Sequence, residues 1–467
     1  MRARRVVAAA LALALAQALV PARPASVASA GPGAPNVLII MTDDQRTGTL
    51  GVMKWTRKWF LRGGTSFQNA FVTTPLCCPS RASILTGRYA HNHGVIDNQH
   101  AHTLDQSATL QRSLQDAGYL TGMTGKYLNG WRTEDAPPYF HRWAMFSPLE
   151  FSSGYWNAWF NLDGAVVQVP QYSTDFIADR AVDILRWFDV QNDAQPWFLY
   201  VTPFAPHGPN NPAPRHRKAK VPRFRPDPNF LERDRSDKPP YVREQPPVKR
   251  RIVKRVRAKV LRQLMSVDDL VQSVMLELGR LGEREDTLAI FLSDNGLVWG
   301  DHGWRNKRLP YTKAVQIPMF VRWPGRVPER ATRTDLVLNV DLFPTILETT
   351  GASPHPDSPP DGRSLFTSPP RPRLFMEYLT NVESPQIPSW RAIRTQLVHY
   401  IEYPDDRTGE ITFREYYDLV NDPYELVNLL GDADPTNDPS PDELALLRAQ
   451  VDRDLRCRGA QGPDACP

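Results

Sequence analysis

The chain has 467 residues, 41% of them hydrophobic, with 44 prolines and a formal net charge of +5. That apolar fraction is enough for a sizeable core, and the length fits two or three domains or one large α/β unit with an appendage. Beyond the first thirty residues no stretch is long and apolar enough to cross a bilayer as a helix.

Residues 1–30 are not expected to belong to the fold. Arg2, Arg4 and Arg5 precede an apolar run from Val6 to Val20, and Ala28-Ser29-Ala30 offers a small-residue cleavage site. This is the pattern of a secretory signal peptide. The run is short for a membrane span, so the chain is expected to be secreted or periplasmic, without stable membrane insertion.

Asn36 to Thr42 is a continuous apolar run ending in polar residues, and reads as a buried parallel strand. Pro196 to Thr202 and Thr287 to Ser293 read the same way. Helical patterns lie at 107–117, 173–190 and 256–280. Strands alternating with helices imply an α/β fold with a mostly parallel sheet. In such folds, sites form beyond the carboxyl ends of the strands. Asp43-Asp44, Pro206-His207 and Asp294-Asn295 each follow such an end.

Residues 208–248 are rich in proline and charge and read as a long insertion. Pro354 to Pro372 is a plausible boundary. After it Leu374–Tyr378, Trp390–Arg394 and Leu397–Tyr403 look like short strands of a smaller sheet. The expected division is a leader over 1–30, a main unit over 34–365 and a smaller subdomain over 370–467.

Asp43, Asp44, Asp294 and Asn295 form a hard, all-oxygen set, which suits calcium or magnesium and not zinc. Read singly, Asp43-Asp44 is also a helix-capping pattern, and Asp294-Asn295-Gly296 a turn. The basic charge is concentrated in residues 215–262, which hold 18 Lys and Arg against 5 Asp and Glu, a net of +13. Such a patch attracts polyanions, or is a solvated loop followed by a charged helix face. Nucleic acid is not an expected partner, because no binding module is recognisable.

Cys77 to Arg88 reads C-x-P-S-R-x-x-x-L-T-G-R. It resembles the signature of the type I sulfatases almost letter for letter. The resemblance implies an alkaline-phosphatase-like sandwich: a central, mostly parallel sheet flanked by helices, plus a smaller C-terminal antiparallel sheet. It also implies that the first cysteine is oxidised to formylglycine by a formylglycine-generating enzyme. Proline two residues on and arginine four on select Cys77, not Cys78. In the family, a divalent cation, usually calcium, binds at the positions matching Asp43, Asp44, Asp294 and Asn295, and the formylglycine oxygen derived from Cys77 joins it. Arg81, Lys126 in Gly125-Lys126-Tyr127 and Lys307 in Arg305-Asn306-Lys307-Arg308 match the cations of the sulfate pocket. His207 matches a histidine that can serve the leaving oxygen. The implied mechanism is attack of one hydroxyl of the hydrated aldehyde on sulfur, giving a covalent sulfo-enzyme. Collapse of the diol then releases sulfate.

His91-Asn92-His93, Gly125 to Asn129, Ser236 to Pro239 and Tyr416 to Glu425 place the resemblance nearest the glucosamine-6-sulfatase and heparan-type branch. The implied substrate is a sulfated small molecule or sulfated glycan. One position departs from many arylsulfatases: Leu128 stands where they carry a histidine, and no spacing establishes His93 or His302 in its place. Four cysteines allow three pairings. If Cys77 is converted, Cys457 and Cys466 look like a local disulfide, and Cys78 is left as a buried thiol. A phosphate or phosphonate ester hydrolase of the same fold, or a non-catalytic polyanion-binding protein, are the alternatives.

Overall fold

A computed structural model describes residues 33–147, 154–191 and 195–467. The signal-peptide pattern of residues 1–30 lies outside them. In chain order the main strands are β1 (Asn36–Thr42), β2 (Thr65–Phe71), β3 (Leu120–Lys126), β4 (Arg142–Phe146), β5 (Ala158–Leu162), β6 (Ala165–Val169), β7 (Trp197–Thr202) and β8 (Thr287–Ser293). A two-residue hairpin follows, β9 (Val298–Trp299) with β10 (Arg305–Asn306), and then β11 (Met319–Arg322) and β12 (Ala331–Leu338). All but the hairpin form one sheet in the order β12-β2-β11-β8-β1-β7-β3-β4-β5-β6. Its centre, β8-β1-β7-β3-β4, is parallel. The margins are mixed, with β11, β5 and β6 antiparallel to their neighbours.

The three apolar runs form β1, β7 and β8, buried along almost their whole lengths. β7 starts at Trp197, one residue after Pro196, which has no N–H to give to a ladder. Alternation along β1 sends its side chains into two cores. Val37, Ile39 and Met41 pack with residues of α1 (Cys77–Thr86), α2 (Leu110–Asp116) and, from later in the chain, the helix Leu342–Thr350. Leu38 and Ile40 face α3 (Ser173–Asp189) and α4 (Arg250–Arg280). Two helical layers thus enclose the sheet, and truncating a central side chain such as Ile39 to Ala costs about 2–5 kcal/mol.

α2 begins at Leu110, later than the 107 expected, because Gln106–Ala108 forms a separate short 3-10 turn. α4 begins at Arg250, earlier than the 256 expected. The basic run is therefore its first turns. Its buried face recurs at three- and four-residue steps through Val260, Leu264, Val267, Val271, Val274 and Leu278. Only Val253 extends that face into the basic run. No acidic residue occupies the first turn, so these cations work against the helix dipole.

With Leu342–Thr350 numbered α5, the chain continues into β13 (Leu374–Tyr378), β14 (Trp390–Arg394), β15 (Val398–Pro404), β16 (Ile411–Asp418) and α6 (Pro441–Asp454). The four strands form an antiparallel meander in that order. They share a third core with Leu447 and Val451 of α6 and with Leu309 and Tyr311 beside the hairpin. Cys457 and Cys466 are disulfide-bonded, while Cys77 and Cys78 are free and buried.

Two of the branch-like motifs bind the parts of the chain together. Lys238 donates to Asp237 and to the Leu426 carbonyl, each at 2.8 Å, and Asp237 accepts from the Asn428 amide. Asn92 bridges Asp361 and the Cys457 carbonyl. His93, buried, meets Ser83 Oγ through Nε2 and accepts the Val95 N–H at Nδ1. Protonation would set a second N–H against that amide. Burial, aided by Arg88, pulls its pKa from the ordinary 6.5 down to about 3. The unfolded chain takes up this proton first, so stability is full above about 6.5 and falls as pH drops towards 3. Urea midpoints between neutral and acid pH are expected to fall less steeply for His93→Gln than for wild type. Equal slopes would contradict this role.

Candidate active site

α1 is buried at every residue and opens at Cys77, directly after the extended Leu76. It stops at Gly87, whose φ of +68° gives the left-handed cap, and a Cβ there would lie 2.8 Å from the Phe343 Cβ. Arg81 stands one turn after Cys77, on the same face. Its Nε donates to Asp294 Oδ2 at 2.9 Å and its Nη1 to the Lys126 carbonyl at 2.8 Å. Its Nη2 lies 3.4 Å from Asp43 Oδ2.

The other groups arrive from strand ends. Asp43 and Asp44 follow β1, and Asp294 and Asn295 follow β8, the neighbouring strand. Asp44 adopts a φ of +66°, and its N–H donates to Asp294 Oδ1 at 3.1 Å. Lys126 ends β3. Gly125 before it has a φ of +108°, and a Cβ there would stand 2.2 Å from the Thr202 carbonyl oxygen. That close approach lets Thr202 Oγ1 hold the Lys126 carbonyl at 2.7 Å while Lys126 Nζ reaches Asp43 Oδ2 at 2.6 Å.

Lys307 comes from the turn after β10. Its Nζ lies 2.5 Å from Asp44 Oδ1, 2.6 Å from Cys77 Sγ and 3.4 Å from Asn295 Oδ1. Cys77 Sγ is 3.4 Å from Asp43 Oδ1. His207, after β7, donates through Nδ1 to the Gly208 carbonyl, which leaves Nε2 facing the site, 3.5 Å from Asp44 Oδ2. The structure thus brings together Asp43, Asp44, Cys77, Arg81, Lys126, His207, Asp294, Asn295 and Lys307 from across the chain.

Three carboxylates, Asp43, Asp44 and Asp294, face three cations, Arg81, Lys126 and Lys307, in a buried site. Burial disfavours the charged Asp43 carboxylate, but Lys126, His207, Arg81 and Lys307 outweigh it and hold the group well below the usual range. For Asp44, Lys307 and His207 overcome burial in the same way. Burial, with Asp43 adding to it, raises Asp294. Burial and Asp43 also push the Cys77 thiol well up, so as a thiol it is neutral and a poor nucleophile. Cys78, whose Sγ faces the Asn129 carbonyl, is pushed up to about 12 by burial.

Asp43, Asp44, Cys77 and His207 offer ligand atoms within 4.8 Å of one another. The carboxylates and the Asn295 amide oxygen suit a hard cation. Lys307 tests the fit: its ammonium already sits among Asp44, Asn295 and Cys77, where positive charge is drawn. Asp294 stands beside this group, with its carboxylate engaged by Arg81 and the Asp44 amide.

Leu128 is buried in the core. His302 is buried on Glu232 and against Tyr311, and His93 lies on Ser83, so both have partners of their own. Sequence reasoning missed Arg46, which grips Asp301 with both terminal nitrogens at 2.6 and 2.9 Å and reaches Asp227 at 3.0 Å. It ties the β9–β10 hairpin, and so Lys307, to the end of β1. The available signal was an arginine just after an acidic doublet, far in sequence from an unassigned aspartate.

A sulfatase family model matches residues 35–352, and a model of the C-terminal part of N-sulphoglucosamine sulphohydrolase matches residues 300–440. The chain is 35% identical over 354 residues to the extracellular sulfatase SULF-1 homolog of Drosophila melanogaster. That alignment covers 71% of this chain and 31% of the fly protein, so the chain spans about a third of that relative's length. It is 30% identical over 465 residues to N-acetylglucosamine-6-sulfatase of Homo sapiens, covering 87% of this chain and 83% of the human one. A solved structure of a protein in complex with its substrate D-glucosamine-2-N,6-O-disulfate superposes with a TM-score of 0.75 at 24% identity, over 90% of this chain and 97% of that one.

Proposed function

This chain belongs to the sulfatase family, among its N-acetylglucosamine-6-sulfatase relatives, and we propose that it is an exported hydrolase of sulfate esters on glucosamine-type sugars. The observation that carries the reading is the convergence of Lys307 and Asp43 on Cys77, with Arg81, Lys126 and Asp44 around them. On this reading residues 34–365 form the catalytic unit and 370–467 a smaller subdomain. Export is supported by the leader pattern of residues 1–30 and by the extracellular relative. Among the described residues no helix is long and apolar enough to cross a membrane.

Cys77 is the residue that a formylglycine-generating enzyme would convert, and the hydrated aldehyde supplies the hydroxyl nucleophile that a neutral buried thiol does not. Asp43, Asp44, Asp294 and Asn295 would hold calcium, or magnesium in its place, which supplies Lewis-acid charge at the sulfate. The three carboxylates and three cations of the protein nearly cancel, so a divalent ion leaves the pocket positive and matched to an anionic ester. Arg81, Lys126 and Lys307 bind the sulfate oxygens and stabilise charge as the S–O bond breaks. The Gly208 carbonyl fixes the His207 ring through Nδ1 and turns Nε2 towards the leaving oxygen, where it can serve proton transfer.

The test is turnover of N-acetylglucosamine 6-sulfate and of the corresponding 6-phosphate by protein coexpressed with the modifying enzyme. The sulfate ester is expected to be favoured in kcat/KM by at least about 100-fold. Faster turnover of the phosphate would transfer the reading to phosphate esters.

A further inference from the structure

Three cavities that share lining residues begin at the catalytic cluster. The first, of about 210 Å³, opens over Asp44 and His207 and is walled in part by Val256, Val260 and Trp299. Trp299 also lines the second, of about 180 Å³, beside Arg46 and Asp227. Phe224, Arg225 and Arg257 line both that cavity and a third, an open groove of about 620 Å³. Neighbouring cavities therefore share walls from the Asp44–His207 site to the groove.

The groove is lined by Arg223, Arg225, Arg250, Lys254 and Arg257, and by no acidic residue. Among the described lysines and arginines of this segment, those in ion pairs are Arg215, Lys238 and Arg243. Among the described residues none of the five groove cations has a carboxylate within ion-pairing distance. Two are positioned without being neutralised. Arg250 lies 4.9 Å over the Phe230 ring, and Arg257 lies 5.3 Å over Phe224 and donates to the Pro222 carbonyl at 2.9 Å. Burial and the nearby Arg46 hold Arg257 below the ordinary guanidinium range. Five like charges around one groove repel each other, and a bound polyanion relieves that repulsion.

We infer that this groove is a subsite for a sulfated glycan chain whose terminal sulfated sugar occupies the Asp44–His207 cavity. The assignment rests on the sulfated-sugar reading above and adds a preference for longer, more highly charged substrates. A single-stranded nucleic acid fits less well, because the stacking faces it needs are covered: Phe224 by Arg257 and Phe230 by Arg250.

Two double variants test it, each removing two charges from the start of α4. Arg250→Ala/Lys254→Ala strips the groove. Arg251→Ala/Arg255→Ala strips exposed neighbours that do not line it. The readout is calorimetric binding of a sulfated glucosamine–uronic acid octasaccharide by the full chain across a salt series. Turnover of N-acetylglucosamine 6-sulfate is measured in the same proteins. The groove pair is expected to weaken octasaccharide binding by about tenfold and to lower the slope of log Kd against log salt by roughly 2. The neighbouring pair is expected to weaken it by less than about twofold, as remote screened charges do. Monosaccharide turnover should be unchanged in both. Equal weakening by the two pairs, or none from the groove pair, would overturn the subsite. So would a single-stranded oligodeoxynucleotide that binds tighter than the octasaccharide and responds to the groove pair alone. A wild-type protein that binds the octasaccharide through the groove but turns over no sulfate ester would sink the catalytic reading and leave the groove standing.

Discussion

Cys77→Ala is expected to lower sulfate ester turnover by at least about 10,000-fold, because it removes the nucleophile and not a helper. The neighbouring substitution separates chemistry from packing. Cys78 is equally buried, but its thiol only faces the Asn129 carbonyl. Cys78→Ala should cost about 1 kcal/mol of stability and leave most of the turnover. Both variants should unfold cooperatively near wild type, since the Cys77 side chain contacts charged groups that retain other partners: Lys307 keeps Asp44, and Asp43 keeps Lys126. Purified Cys77→Ala with near-wild-type kcat/KM would contradict the assignment. So would a Cys78→Ala loss as deep as that of Cys77→Ala in protein that remains folded.

Chelation should have an effect of comparable depth. Asp43 and Asp44 are held ionised by Lys126, Lys307 and His207, so removing the cation leaves a site whose fixed charges nearly cancel. An anionic ester then meets little net attraction. Turnover is expected to fall about 1,000-fold on exhaustive chelation, and to return with calcium or magnesium. Asp44→Ala should lose the ion and a similar factor in rate, and excess calcium should not restore it. Undiminished turnover in metal-free protein would contradict the role given to these carboxylates. A stoichiometric zinc at the same residues would contradict the hard-cation assignment.

Much of this site was legible in the sequence because its groups lie at ends of strands that announce themselves. β1, β7 and β8 are uninterrupted apolar runs, each followed by a polar turn, and the parallel sheet brings those turns to one edge. Lys126 and Lys307 were legible only through neighbouring motif residues, since a lone lysine carries no local signal. The start of α4 was not legible, because a run of arginine and lysine reads equally as loop or solvated helix face. Tertiary packing of Val253 beneath it settles the matter. β16 was hidden for a related reason: its first half alternates weakly and is only partly buried. The Arg46–Asp301 pair needed the fold itself, since nothing along the chain links two charges on separate loops. The branch-like motifs at His91-Asn92-His93 and Ser236 to Pro239 hold the small sheet and the tail to the main unit.

The most direct measurement is the mass of the proteolytic peptide that carries Cys77, from protein coexpressed with a formylglycine-generating enzyme. The residue is expected to be lighter than cysteine by about 18 Da, whereas oxidation of a thiol to its oxyacids makes it heavier. The abundance of that lighter peptide should rise in proportion to the turnover of N-acetylglucosamine 6-sulfate across preparations. Full turnover in protein whose Cys77 peptide has the unmodified cysteine mass would contradict the formylglycine nucleophile.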